Sequence, residues 1–266
     1  MAFINRYGDP TLPALVLLHG FMGAKEDWQA LMPKLSQRFH CIVIDLPGHG
    51  TNQYALSTPG LTEAAAHVLQ KVNNLGYQQF HLVGYSLGGR IALHIAQLQP
   101  EALLSLTLES ANPGLLTEAE KQQRLAHDNR WAEKLLNLPF KQFLQLWYQQ
   151  AVFADLTEQQ RQWLIEKRAW NNPQHLHQCY QATSLGLQAD CRQVIKQLNA
   201  PCQIVVGEQD HKFTHLARQW QAELANATLL QLTVIPNVGH NIHSMLPQIF
   251  CDVLLAFVDN HHLLSE

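Results

Sequence analysis

No run of about eighteen apolar residues occurs anywhere in these 266 residues, so no segment reads as a transmembrane helix. Neither sign of charge is in excess: 18 lysines and arginines stand against 21 aspartates and glutamates, for a net charge of −3. That balance leaves no footprint for nucleic acid or an anionic membrane surface. Residues 1–13 lack a basic start followed by an apolar stretch, so no signal peptide is expected. The five cysteines, Cys41, Cys179, Cys191, Cys202 and Cys251, are odd in number and contain no C-x-x-C pair. Cys41, Cys202 and Cys251 lie in apolar runs and read as buried free thiols, and the whole pattern fits a reducing cytoplasm. The 15 histidines include no H-E-x-x-H or comparable ligand spacing, so neither a metal nor a cofactor is expected. Repeats, low-complexity stretches and flexible linkers are also missing.

What is present is an alternation of strand and helix signals in a chain that is 47 % hydrophobic, enough for one large α/β domain or two small ones. The apolar runs 14–18, 41–44, 80–83 and 103–108 read as buried strands. Segments 25–37, 61–73 and 89–99 between them read as helices, with Thr62 in the N-cap region of the second. Such alternation predicts a mostly parallel sheet with helices on both faces. After Ser110 the pattern breaks. Segments 117–136, 140–150, 157–169 and 173–187 read as helices, punctuated by Pro139 and Asn171-Asn172-Pro173. Alternation resumes with strand 203–206, helix 214–225, strand 229–235 and helix 247–260. The expected organisation is a core of 1–111 and 188–266 with a helical lid, 112–187, over the carboxyl edge of the sheet, where ligands bind in such folds.

Gly84-Tyr85-Ser86-Leu87-Gly88 sits at a strand-to-helix junction. Glycines on either side of Ser86 suit a sharp turn that projects the serine hydroxyl from the sheet edge. A serine hydroxyl needs a histidine to take its proton and an acid to fix that histidine's tautomer. Asp210 follows strand 203–206 and His240 follows strand 229–235, in the chain order this fold uses. Glu208 and Glu109 compete with Asp210, and His243 competes with His240; position in the turn favours Asp210 and His240. His19 and His49, beside glycines at strand ends, read as loop braces, and Asp45 as a partner of the turn 47–50. Leu87 and Phe21 can supply two backbone N–H donors for a developing oxyanion or enolate.

The elbow Gly84-Tyr85-Ser86-Leu87-Gly88-Gly89-Arg90, the segment running from Leu146-Trp147-Tyr148-Gln149-Gln150 to Leu156, the loop Gly207-Glu208-Gln209-Asp210-His211-Lys212-Phe213 and the loop Gly239-His240-Asn241-Ile242-His243 resemble one family. It is that of the 2-succinyl-6-hydroxy-2,4-cyclohexadiene-1-carboxylate synthases of the α/β-hydrolase superfamily. The likeness runs from His19 to His243. It implies an α/β-hydrolase fold and a lyase of menaquinone biosynthesis. Its substrate would be a small polycarboxylate, 2-succinyl-5-enolpyruvyl-6-hydroxy-3-cyclohexene-1-carboxylate, from which a ring proton and pyruvate are removed. The resemblance further implies Ser86, with His240 and Asp210, as general base, and Tyr85, Arg90, Arg124, Trp147 and Arg168 as substrate-binding residues. A cytoplasmic monomer without cofactor is expected.

Three carboxylates need cations, and arginine's planar fork binds a carboxylate through two parallel hydrogen bonds. Arg90, on the first turn of the elbow helix, can face the site. Without the resemblance, Arg124 reads as an exposed ion pair with Asp128 four residues on, Arg168 as part of a solvated helix face, and Trp147 as lid core. A serine carboxylesterase or C–C hydrolase on the same fold is the alternative, and a catalytically silent binding protein a third. An esterase of apolar substrates has no need of arginines converging on the serine.

Overall fold

The apolar runs become the middle of one seven-stranded sheet. Its strands are β1 (Ile4–Tyr7), β2 (Ala14–Leu18), β3 (His40–Ile44), β4 (Phe80–Tyr85), β5 (Leu103–Glu109), β6 (Cys202–Gly207) and β7 (Leu230–Ile235). The computed structural model describes residues 2–224, 227 and 229–262. Ala225, where a helix was expected to end, and the outer ends of the expected core, Met1 and 263–266, lie outside the described residues. Strand order is β1-β3-β2-β4-β5-β6-β7, parallel except for β1 against β3. Every residue of β2, β3, β4 and β6 is buried, as continuous apolar runs require when helices cover both faces. Each fully buried leucine of β2 contributes on the order of 2 kcal/mol.

The helices are α1 (Met32–Leu35), α2 (Leu61–Asn74), α3 (Leu87–Leu98), α4 (Glu118–Asn137), α5 (Phe140–Trp147), α6 (Glu158–Arg168), α7 (Pro173–Ala182), α8 (His211–Glu223), α9 (Ile242–Met245) and α10 (Pro247–His262). On one face of the sheet, α2 and α3 pack through Ala64, Val68, Ile91 and Ile95. On the other, α10 packs through Phe250, Leu254 and Phe257 around Trp28. Between β5 and β6 the described residues form α4 to α7 and short 3-10 turns, with no strand. Their apolar cluster, built on Leu135, Phe143, Leu144 and Leu176, also includes Met22 from the loop after β2. The helical block therefore rests on the carboxyl edge of the sheet.

Local chemistry explains where the elements begin and stop. Thr117 and Glu120 form a reciprocal capping box at the start of α4, and Thr157 and Gln160 do so at α6. Asn172 accepts from Gln174 N and His175 N ahead of α7, with Pro173 as its first residue. The helix expected over 25–37 is instead a 3-10 turn, Lys25–Leu31, followed by the single turn α1. Pro33 cannot donate inside a continuous helix there. The helix expected over 173–187 ends at Ala182, and Ser184 turns its hydroxyl to Asp128. Gly60 rather than Thr62 caps α2, and Thr62 faces His94 at 3.3 Å. Strand β1 has no counterpart in the sequence reading: it is a short edge strand, half polar. Asp45 does not bond the 47–50 turn as expected; its carboxylate takes Lys25 N, Lys25 Nζ, Thr51 N and Thr51 Oγ1.

Candidate active site

Strands β4, β6 and β7 deliver three side chains to one edge. Ser86 follows β4 directly with φ +50° and ψ −106°, a backbone conformation sparsely populated outside glycine. Its neighbours make the turn feasible: a Cβ on Gly88 would lie 2.2 Å from Leu18 O, and one on Gly84 would lie 2.5 Å from Gly88 O. Asp210 ends the turn after β6, where one carboxylate oxygen caps α8 through Phe213 N at 3.2 Å. The other lies 2.6 Å from His240 Nδ1. His240 Nε2 lies 3.2 Å from Ser86 Oγ. The Nδ1–carboxylate contact assigns the proton to Nδ1 and leaves Nε2 to accept from the serine.

Phe21 and Leu87 flank Ser86, and among the described residues no acceptor takes either backbone N–H. The loop carrying Phe21 is held by the two histidines read as braces. His19 Nε2 accepts from Leu46 N and its Nδ1 lies 2.7 Å from Gly20 O. His49 Nε2 accepts from Met22 N, and Nδ1 lies 3.0 Å from Pro47 O. Burial, then the neighbouring His19, pulls His49 down to about 3, so it stays neutral and keeps accepting at Nε2. Of the competing acids, Glu208 accepts from Asn237 N at 3.2 Å on the rim, and Glu109 pairs with His243 instead of His240.

Phe21, Ser86, Leu87, Arg90, Arg124 and Trp147 line one cavity, completed by Asp128, Tyr180 and Thr183 to Leu185. A larger cavity of about 230 Å³, around His81, Leu103, Pro201 and Val258, lies at the opposite end of the strands. Size therefore does not single out the site; the nucleophile–base contact does. Arg90 donates from Nε to Gln188 Oε1 at 2.5 Å and from Nη2 to Thr183 O at 2.6 Å. Among the described residues no carboxylate pairs with it. Burial, then repulsion from Arg124, lowers its guanidinium to about 9. Arg124 is not a fully exposed pair: its Nε meets Asp128, which is 2 % exposed, at 2.7 Å. Asp128 also accepts from Tyr180 Oη and Ser184 Oγ. Burial raises the Asp128 carboxyl, but Arg124 and these hydrogen bonds outweigh it and leave it below its ordinary value.

Arg168 is not on a solvated face; it is 4 % exposed and donates to Asp27 Oδ1 at 2.6 Å. Burial lowers its guanidinium, and Asp27 and Tyr148 more than offset that. It does not line the cavity. Tyr85 is buried beside it, its ring centroid 5.5 Å from that of His240, with burial and then Glu109 raising its phenol. Trp147 stands among Phe21 at 5.3 Å, Trp131 at 5.1 Å and Tyr180 at 5.7 Å. Gln188, Tyr180 and Thr183 were not singled out from sequence. They carry no motif, and only the folded block brings them to Arg90. The five cysteines are all buried and free.

Residues 13–244 match the family model of the alpha/beta hydrolase fold. A curated 2-succinyl-6-hydroxy-2,4-cyclohexadiene-1-carboxylate synthase of Yersinia pseudotuberculosis serotype O:1b is 38 % identical over 247 residues, 92 % of this chain and 87 % of that protein. One of the same name from Serratia proteamaculans is 36 % identical over 97 % of both chains. A third, from Photorhabdus laumondii, is 39 % identical over 97 % of this chain and 87 % of its own length. Among solved structures, MenH from S. aureus superposes with a TM-score of 0.90 at 25 % identity, covering 98 % of this chain and 100 % of that one. An esterase from Thermogutta terrifontis, 21 % identical, superposes with a TM-score of 0.78 over 97 % of this chain and 92 % of its own, which speaks to the fold alone.

Proposed function

Because this chain belongs to the 2-succinyl-6-hydroxy-2,4-cyclohexadiene-1-carboxylate synthase family of the alpha/beta hydrolase fold, we propose that it is a pyruvate-eliminating lyase with a Ser-His-Asp relay. The substrate is 2-succinyl-5-enolpyruvyl-6-hydroxy-3-cyclohexene-1-carboxylate. The observation that carries this reading is one cavity lined both by Ser86, whose hydroxyl meets His240, and by a guanidinium with no carboxylate partner among the described residues.

The proposed chemistry uses each group where it stands. Ser86 Oγ takes the ring proton as its own proton passes to His240 Nε2, and Asp210 holds the imidazolium through Nδ1–H. The electron pair of the broken C–H bond becomes one ring double bond, and the pair of the existing ring double bond shifts by one position to form the second. The C–O bond to the enolpyruvyl group breaks, and its enolate takes a proton back to leave as pyruvate. The backbone N–H groups of Phe21 and Leu87 stabilise the oxygen on which negative charge builds. Arg90 and Arg124 hold substrate carboxylates, and Trp147 and Tyr85 orient the ring between apolar bodies with polar tips. Arg168, tied to Asp27 and off the cavity wall, reaches the substrate only by exchanging that partner.

The test couples pyruvate release from the enolpyruvyl cyclohexene substrate to lactate dehydrogenase. Release should fall at least about a thousandfold in Ser86→Ala, while calorimetry finds product affinity within about threefold. A Ser86→Ala enzyme with wild-type kcat removes the serine from the reaction. Turnover of p-nitrophenyl esters without pyruvate release establishes the esterase alternative.

A further inference from the structure

A second histidine–carboxylate pair lies directly behind the relay and does not belong to it. Glu109 is the last residue of β5, between β4 and β6, and is 0 % exposed. Its backbone carbonyl accepts from Ser86 N at 2.9 Å. Its carboxylate Oε1 accepts from Ile242 N at 2.7 Å and His243 N at 3.0 Å. Oε2 faces His243 Nδ1 at 2.7 Å. The His243 ring is clamped in turn: it stacks on Trp28 at 4.1 Å and meets the edge of Tyr85 at 4.9 Å.

The loop that carries His240 is anchored at several points, beginning with the contacts of Glu208 and Gln209 to Asn237 and Val238. Asp155 accepts from Gly239 N, Asp210 holds the His240 ring, and Glu109 holds the two backbone N–H groups that follow. Of these anchors among the described residues, Glu109 is the one that also accepts from Ser86 N. Its main chain fixes a strained elbow and its side chain fixes the first turn of α9, so one residue sets the distance between two segments 154 positions apart. The carboxylate is an apt anchor because both oxygens accept and every donor it meets is buried with it.

We propose that Glu109 is a positioning residue: by bridging Ser86 N to the backbone after His240, it holds the Ser86–His240 contact at transfer distance. The proposal rests on the reading that this pair moves the proton. A misplacement on the order of 1 Å in such a contact costs about a hundredfold in rate.

The experiment uses the full-length chain with two readouts. A fluorophosphonate reports Ser86–His240 alignment whatever the natural reaction is, and pyruvate release reports the lyase. Glu109→Ala should slow Ser86 labelling and kcat by about a hundredfold or more, with KM within about threefold, all measured well below each variant's Tm. Glu109→Gln keeps a carbonyl oxygen for Ile242 N and His243 N and should recover to within about tenfold of wild type. If the alanine variant does not fold, Glu109→Asp, which keeps the charge but shortens the reach by one methylene, makes the same test. Labelling of either folded variant at the wild-type rate overturns the proposal, and so does a wild-type enzyme that the reagent does not label. A wild type that labels but releases no pyruvate sinks the lyase reading alone, and the labelling ratio then decides the role of Glu109.

Discussion

Replacing Arg90 or Arg168 with methionine should separate binding from stability, because the two guanidiniums are neutralised differently. A fall from 12.5 to about 9 at Arg90 amounts to about 5 kcal/mol against its charged form, at about 1.4 kcal/mol per unit. Its hydrogen bonds to Gln188 and Thr183 O return about 1.5–3 kcal/mol each. These contributions nearly cancel. Arg90→Met should therefore leave stability within about 1–2 kcal/mol of wild type, a few degrees in Tm for a chain of this size. No carboxylate is orphaned by that change. Arg168→Met leaves Asp27, 6 % exposed, with Lys167 as its remaining cationic partner at 2.9 Å. Breaking such a buried pair costs about 3–5 kcal/mol.

Activity should divide the other way. If Arg90 holds a substrate carboxylate, its loss should lower kcat/KM by about 2–5 kcal/mol, from tens to thousands of fold. Urea unfolding and the coupled pyruvate assay on the same preparations give both numbers. An Arg90→Met enzyme destabilised as strongly as Arg168→Met would mean that the protein itself supplies Arg90 with an anion. Unchanged kcat/KM in Arg90→Met would remove the arginine from the site.

Two further outcomes concern the loops around the serine. His49 falls from 6.5 to about 3, through burial first and His19 second, so the unfolded chain takes up a proton that the folded chain refuses. Its folded-state value is depressed below the unfolded one, and stability must fall as pH drops from 6.5 toward 3, by up to about 5 kcal/mol. His49→Gln should flatten urea-unfolding stability across that window by about 1.4 kcal/mol per pH unit, and an unchanged slope would mean that His49 is protonated in the fold. Ser86 sits at φ +50°, so Ser86→Gly should be more stable than Ser86→Ala by about 1 kcal/mol once glycine's own entropy cost is deducted. Equal melting temperatures would mean that the elbow stores no strain.

What could be read from the residues follows from the range of the interactions involved. The buried strands were legible because each is a local apolar run, and their order along the chain brings Ser86, Asp210 and His240 to one edge. The helices α4, α6 and α7 were legible from Thr117, Thr157 and Asn172-Pro173, whose caps act within four residues. The 3-10 turn at Lys25–Leu31 was missed because apolar spacing through Trp28, Leu31 and Leu35 outweighed one proline. Edge strand β1 was missed because it has only one partner strand and needs no continuous apolar run.

Charge pairing was the least legible property, and it is the one that distinguishes this site from its fold. Arg124 with Asp128 is visible at four residues' spacing, but that spacing cannot tell an exposed pair from one whose acid is buried under Tyr180 and Ser184. Arg168 looks solvated among Arg161, Glu166 and Lys167, yet its partner Asp27 lies 141 residues away. Arg90 shows the converse: adjacency to the elbow placed it near Ser86, but its lack of a carboxylate partner among the described residues is a property of the whole fold. A relay of serine, histidine and aspartate serves hydrolysis and proton abstraction alike, so it cannot choose between them. A cation held by neutral acceptors alone, with no carboxylate partner among the described residues, does choose, because an anionic ligand supplies the opposite charge those acceptors lack. Opposite responses of stability and kcat/KM in Arg90→Met are what this reasoning requires, and an apolar-ester hydrolase would show no such opposition.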